Sequence, residues 1–349
     1  MIERVLAIET SCDDTSVAVV EHDGRVIAMS SASQDPAHEP FGGIVPEIAS
    51  RNHSVALLPL IDQVLLKSGK SWKDIGGVVS TNRPGLVGSL IVGLVTGKSL
   101  AQSKKLPFLG VNHLEGHLLA PFLRDEGFAP PADFQTPYVG LAISGGHTSL
   151  YRIEGLGDYE VLGATKDDAA GEAFDKFAKM AGLGFPGGVK VDRLSKTGDR
   201  KAFDFPRSLM KEETFDMSFS GLKSSAQRMI DNLGPEETKA KISDLCASFQ
   251  EAIVDVLIAK LDRAVRFTGL RRAILTGGVS ANSRLRERGQ EWADKNGIQL
   301  VIPPLRYCTD NAAMIGYAGI LRLNRGERHD LSLGPSPHSL PGDFRGENR

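Results

Sequence analysis

The chain has 349 residues, 41% of them hydrophobic and 24% charged, with a net charge of −2 and a pI of about 6.5. That composition supports sizeable cores and favours two domains over one. It excludes a free-standing basic nucleic-acid binder, so any RNA contact must come from a local patch or from a partner.

Three cysteines, Cys12, Cys246 and Cys308, are far apart and odd in number, which argues against a disulfide framework and for a reducing compartment. No run reaches the roughly 18 apolar residues of a membrane span. The first residues carry no signal-peptide pattern, so a cytoplasmic location is expected.

In chain order, Val5–Ile8 is an apolar strand that ends in a polar turn, Glu9–Ser16. Val17–Val20 and Arg25–Met29 follow as strands around the His22-Asp23-Gly24 turn, which completes a β-meander. A Gly/Pro loop, 38–46, precedes a helix over about 47–67. Gly77–Ser80 reads as a buried strand, Thr81–Ser89 as a loop and 90–103 as an apolar helix. Phe108–Val111 is a short strand that runs directly into His113-Leu114-Glu115-Gly116-His117.

The meander then recurs. Val139–Ile143, the polar turn 144–149, Leu150–Ile153, a Gly/Asp turn and Tyr159–Gly163 repeat strand, polar turn, strand, turn, strand. Two copies suggest two similar domains, each with a phosphate-sized loop after its first strand. Beyond them, a helix is expected from Lys166, with acids in its first turn, stopping at the glycine-rich run 182–188. The region 189–225 is polar, and a long helix is expected over about 238–268. Arg271–Leu275 and Leu300–Ile302 read as strands, a helix starts near Arg284, and Asn311 caps a last apolar helix, 312–323. The tail from Ser332 reads as loosely ordered.

Two features carry chemistry. His113 and His117, four residues apart, stack on one face of a helix about 5–6 Å apart at Cβ, where two neutral imidazoles can chelate a transition metal. Three loops, Thr10-Ser11-Cys12, Ser144-Gly145-Gly146 and Gly277-Gly278, each follow an apolar strand and let backbone N–H groups approach an anion. The arginine rows at 193–211 and 284–288 are the best local candidates for RNA contact; the competing reading is a solvated surface.

The runs Glu9–Thr15, Gly42–Glu47, Asn112–His117, Ser144–Thr148, Asp167–Lys176, Phe185–Gly188, Phe219–Lys223, Gly277–Asn282 and Cys308–Asn311 together resemble the bacterial TsaD (Gcp) family, over about residues 4–335. The resemblance implies an α/β fold of two ribonuclease-H-like domains around a nucleotide cleft, as in the actin/Hsp70/sugar-kinase (ASKHA) superfamily. It places the first domain at 1–110, rejoined by a helix near 311–330. The second falls at 111–310 with an insertion at 185–235, and a loose tail covers 331–349. It implies an acyltransferase that moves threonylcarbamoyl from threonylcarbamoyl-AMP to N6 of the adenosine just 3′ of the tRNA anticodon, releasing AMP.

By the same resemblance, one divalent metal, Fe2+ or Zn2+, belongs on His113, His117 and Asp310. The adenylate belongs on Ile143, Ser144, Gly145, Gly146, His147, Asp175, Gly188, Asp192 and Asn282. TsaB-like and TsaE-like protein partners are expected. The attacking amine needs a proton acceptor, and Asp13 is a candidate base; the alternative is that it only hydrogen-bonds its own loop.

Two positions depart from the family pattern. Arg83 stands where a glycine is usual, which questions that loop's geometry, and Asn112 stands where many relatives have another histidine. The competing function is an ASKHA-type ATPase or small-molecule kinase, since fold alone does not settle function. A metallopeptidase is excluded: the common zinc motif needs Glu directly after the first His, and Glu115 lies roughly 200° round a helix from His113.

Overall fold

The computed structural model describes residues 1–339, which form two compact units. The first holds Met1–Asp133, Leu156–Asp158 and the chain from Pro303; the second holds Phe134–Gly155 and Tyr159–Ile302.

The first unit opens with β1 (Arg4–Glu9), β2 (Asp14–Glu21), β3 (Val26–Ser33) and the short α1 (Asp35–His38). Then come α2 (Pro46–Ser68), β4 (Gly77–Arg83), α3 (Val87–Lys104), β5 (Phe108–Asn112) and α4 (His113–Leu119). The strands form one sheet in the order β3-β2-β1-β4-β5. The central β1 pairs antiparallel with β2, Val5 opposite Val20, and parallel with β4, Leu6 opposite Val78. A strand covered on both faces reads as an unbroken apolar run. Here Leu6 and Ile8 pack with Leu57, Ile61 and Val64 of α2 and Leu94 of α3, while Val5 and Ala7 pack on the opposite face.

The second unit repeats the plan. It contains β6 (Tyr138–Ile143), β7 (Thr148–Gly155), β8 (Asp158–Ala164), α5 (Ala170–Met180), α6 (Gly187–Ser195) and α7 (Ser220–Ala240). It continues with α8 (Ile242–Thr268), β9 (Arg272–Thr276), α9 (Ser283–Asn296) and β10 (Gln299–Val301). Its sheet runs β10-β9-β6-β7-β8, with β6 antiparallel to β7 and parallel to β9. Read from the meander edge, this is the strand succession of the first sheet, so the repeat in the sequence is a repeat of fold. The core centres on α8, whose Phe249 ring stacks on Phe177 at 4.1 Å and meets Phe205 edge-on.

The chain then returns to the first unit through α10 (Leu305–Cys308) and α11 (Ala312–Asn324). Met314, Ile315 and Ala318 of α11 fill the face of the first sheet that carries Val5, Ala7 and Val20, together with Leu119 at the end of α4 and Ala120 after it. That shared core is why the units divide at Asp133 and Ile302 rather than at 110 and 310: the His113 helix belongs to the first unit.

Other differences have local causes. The helix expected from Lys166 starts at Ala170, because the Asp167 carboxylate instead accepts from the Phe219 and Ser220 amides and caps α7. The polar stretch after 187 contains α6, and α7 precedes the long α8 with a break at Gly234, whose φ of 71° and following Pro235 interrupt the helix. The tail is tied down as far as it is described: Lys98 Nζ donates to the carbonyls of Leu331 and Leu333, and the Ser336 amide donates to Asn82. Residues 340–349 lie outside the described residues.

Close packing of α11 needs small residues. A Cβ on Gly319 would lie 2.6 Å from Val79 Cγ1. Gly319→Ala is therefore expected to destabilise the protein by about 1–3 kcal/mol through overpacking, although alanine is the better helix former. Urea unfolding measures it, and an unchanged or raised midpoint would contradict this packing.

Candidate functional site

The first site is built on α4. Asn112 ends β5 and caps the helix, its Oδ1 accepting from the Leu114 amide at 2.9 Å. This fixes His113 at the first helical position and His117 one turn later on the same side, with ring centroids 4.7 Å apart and the planes at 89°. Asp310, between α10 and α11, reaches both: its Oδ1 lies 3.3 Å from His113 Nε2 and 3.2 Å from His117 Nε2. One ligand atom from each of the three falls within 4.8 Å of the others.

Behind His113 stands Glu9, fully buried at the end of β1. Its Oε2 lies 3.2 Å from His113 Nδ1, and Ser11 Oγ is also 3.2 Å from that nitrogen. The Glu9 carboxylate is held in turn by the Thr81 hydroxyl and the Ser11 amide. A carboxylate on the far nitrogen fixes the ring and its tautomer and leaves Nε2 for a metal. Two imidazoles and one carboxylate with positions left open suit a divalent transition metal that also takes substrate, so these residues fit the expected ion.

The electrostatics agree. Burial opposes charge on His113, but Asp310 and Glu9 outweigh it and hold the imidazole well above its usual pKa. His117, buried with less compensation, is pushed down. Burial opposes charge on Asp310 as well, and the His113 charge overcomes it, placing Asp310 well below the usual carboxylate range. In the adjoining β1–β2 turn, burial and then the charge of Asp310 raise Asp13. Burial and then Asp13 push Asp14 to about 7. The Cys12 thiol is pushed well above its usual value, mainly by burial, which disfavours a thiolate nucleophile.

The second unit brings its expected residues into one ring at the C-terminal ends of the parallel strands β6 and β9, where ligands of such sheets bind. Ser144 and His147 close the loop after β6, the Ser144 amide donating to the His147 carbonyl at 2.7 Å. The first helical residues of α5 lie against it, with the Gly171 amide donating to Ser144 at 3.3 Å. Further along α5, Asp175 accepts from the Gly187 amide at 2.8 Å, beside Gly188 at the start of α6. At the next turn Asp192 accepts from the Ser283 amide and hydroxyl at 3.1 and 2.7 Å. Asn282 caps α9, accepting from the Leu285 amide at 3.0 Å. Gly277, at φ 88°, returns to β6, where a Cβ would fall 2.4 Å from the Ile143 carbonyl. Gly145 and Gly146 are exposed, with no heavy atom within 4 Å of where a Cβ would stand.

Several sequence readings change. Part of the arginine rows is neutralised. Arg284 grips Glu251 with two nitrogens at 2.6 and 2.7 Å, Arg207 and Arg288 share Asp255, and Arg200 reaches Glu287. Arg286 donates to the Ser280 carbonyl at 3.1 Å. Arg83 ends β4 opposite Asn112 and does not take a left-handed backbone. The close approach falls on Gly85, where a Cβ would meet the Ser11 carbonyl at 2.5 Å. Glu115 is buried in a two-nitrogen pair with Arg322 at 2.6 and 2.8 Å, consistent with the excluded peptidase role. Glu9 was missed as a participant; its signal was an acid closing a fully apolar strand.

Glu9→Gln is expected to weaken zinc or cobalt binding roughly 10- to 100-fold, and His117→Ala to abolish stoichiometric binding, both by equilibrium titration. Because Asp310 and Glu9 raise the proton affinity of His113, protons compete with a metal for it, so affinity should fall as pH falls. Calorimetry in buffers of different ionisation enthalpy reads this proton, and buffer-independent heats would contradict it.

With this geometry in hand, comparisons with known proteins are specific. The profile of the TsaD family, described as tRNA N6-adenosine threonylcarbamoyltransferase, matches residues 25–317. A protein of Bdellovibrio bacteriovorus with that description is 71% identical over 345 residues, covering 99% of this chain and 100% of the relative. One from Anaeromyxobacter dehalogenans is 50% identical over 335 residues, covering 96% and 98%. Among solved structures, full-length HypF in a phosphate- and nucleotide-bound form aligns with a TM-score of 0.59 at 13% identity, covering 97% of this chain and 48% of HypF. Component A of the Acidaminococcus fermentans (R)-2-hydroxyglutaryl-CoA dehydratase aligns at 0.52 and 12% identity, covering 91% and 99%. These two speak to the fold alone, which is of the ASKHA type. The chain belongs to the TsaD family, tRNA-modifying transferases described as tRNA N6-adenosine threonylcarbamoyltransferases.

Proposed function

We propose that the protein moves the threonylcarbamoyl group from threonylcarbamoyl-AMP to N6 of the adenosine just 3′ of the anticodon, in tRNAs reading codons that begin with adenine. The observation that carries this reading is the His113–His117–Asp310 donor set, oriented by Glu9. A kinase or ATPase of the same fold relies on acidic residues and Mg2+, and two imidazoles are the wrong donors for that ion.

In this reading the ring formed by Ile143–His147, Asp175, Gly188, Asp192 and Asn282 holds the adenylate. Gly145 and Gly146 let phosphate oxygens approach the backbone, and the carboxylates of Asp175 and Asp192 accept from ribose hydroxyls. The N6 nitrogen bonds to the carbamoyl carbon. The bond from that carbon to the phosphate oxygen breaks, and AMP leaves with the electron pair. Asp13 takes the amine proton; burial and the nearby Asp310 raise its proton affinity, which suits a base. When bound, the metal, Fe2+ in this reading with Zn2+ as the alternative, supplies Lewis acidity that polarises a carbonyl or offsets phosphate charge.

A partner surface also follows. Val55, Leu58 and Leu66 on α2 and Val87, Ile91 and Val95 on α3 are exposed at helical spacing, an apolar face on two helices that pack together. We assign it to the expected TsaB-like partner, with a TsaE-like protein completing the assembly.

The test is reconstitution. The chain is combined with its expected partners, threonine, bicarbonate, ATP, the adenylate-forming enzyme and unmodified tRNA, and the digested RNA is weighed for threonylcarbamoyl-adenosine. Product is expected, and none with His117→Ala. No product from components active with another family member would overturn the reading, and ADP release without modified RNA would favour the kinase. Ile91→Asp should abolish co-purification with the TsaB-like partner while leaving metal content unchanged; retained pairing would exclude this face.

A further inference from the structure

We infer that Gln250, in the N-terminal third of α8, is a positioning residue that sets the nucleotide ring of the second unit. The sequence gives it no prominence: with Ser248 and Lys260, it is one of the polar residues buried in α8. It is only 3% exposed, and both ends of its amide are engaged. Oε1 accepts from Asn282 Nδ2 at 2.7 Å, and Nε2 donates to Ser195 Oγ at 2.8 Å. Ser195 Oγ in turn donates to the Asp192 carbonyl at 2.9 Å.

The consequence is a buried relay between two elements of the ring. On one side is α6, which carries Gly188 and Asp192; on the other is Asn282, at the head of α9. A second link between them, Asp192 to Ser283, lies on the exposed side. Water can replace that one at little cost. It cannot reach the Gln250 relay, where a lost bond leaves polar atoms buried and unsatisfied.

Gln250 also decides what Asn282 can offer a ligand. The Asn282 Oδ1 is committed to the Leu285 amide and one Nδ2 hydrogen to Gln250, so the amide plane is fixed from both ends. A single N–H remains to recognise an acceptor on a nucleotide, and its direction is set by Gln250. Without the relay, the Asn282 side chain keeps its capping bond but loses its second restraint, and α6 loses its buried anchor.

This inference rests on the adenylate reading of the ring, and the experiment separates the two. AMP alone is the probe, titrated calorimetrically into the full-length protein and its variants, with urea unfolding run in parallel. Gln250→Leu should weaken AMP binding at least tenfold and raise KM for the adenylate in the modification assay, with kcat changed less than twofold. Gln250→Glu keeps an acceptor for Asn282 but cannot donate to Ser195, whose hydroxyl must then turn from the Asp192 carbonyl to the carboxylate, and Ser195→Ala breaks the relay from the other side. Each should weaken AMP binding several-fold, and the double variant no further than either single one.

Normal AMP affinity in the Leu and Glu variants, with only the unfolding midpoint lowered, would overturn the inference and leave Gln250 a packing residue. Additive losses in the double variant would also overturn it. Failure of the unaltered protein to bind AMP would overturn the adenylate reading itself, and this inference with it. Should the Leu variant not fold, the Glu and Ala variants carry the test alone.

Discussion

A carboxylate at the end of a fully buried strand must be paired, and Glu9 meets that requirement through His113. Removing its ionised form from water costs several kcal/mol unless hydrogen bonds compensate. The Thr81 hydroxyl, the Ser11 amide and His113 Nδ1 provide them. The rest of the first site follows from this constraint. With Nδ1 committed to Glu9, the other ring nitrogen is directed at Asp310, and the helix period brings His117 to the same oxygen. The raised proton affinity of His113 partly offsets the two carboxylates, and a divalent ion held by His113, His117 and Asp310 would displace that proton and offset more of their charge.

The two units solve one folding problem twice. Each places a strand at the centre of a mixed sheet, antiparallel to the meander and parallel to the next strand, so a loop emerges at the same end each time. The loops have diverged. The one after β1 carries acids and hydroxyls beside the histidines. The one after β6 carries paired glycines, and Gly277 on the neighbouring loop is pressed against the carbonyl of Ile143. Repetition supplied the scaffold, and the choice of small or charged residues at the strand ends supplied the chemistry.

The arginine-rich stretches illustrate the opposite case. A basic row in sequence is potential for RNA only if its charges are uncompensated. Here Glu251, Asp255 and Glu287, on other helices or other turns, take up most of the guanidinium groups at 284–288 and at Arg200 and Arg207. Such pairs brace α8 and α9 and leave less charge for phosphate contacts.

The sequence by itself determined most element types, the repeat and, through the family motifs, the candidate metal donor set. Those signals are local or motif-borne: alternating or continuous apolar runs, a four-residue histidine spacing that a helix turns into one face, and long family motifs in one order. The unit boundaries, the start of α5 and the roles of Glu9, Glu115, Gln250 and Asp167 were decided only by tertiary structure. Each depends on a partner far along the chain: Glu9 on His113, Glu115 on Arg322, Gln250 on Asn282 and Ser195, Asp167 on the head of α7. A helical period or a turn preference acts over a few residues, whereas the pairing of a buried polar group is fixed by whatever the fold brings against it. In the sequence, Glu9 is merely the last residue of a strand; in the folded chain, it is what aims the first imidazole of the candidate metal site.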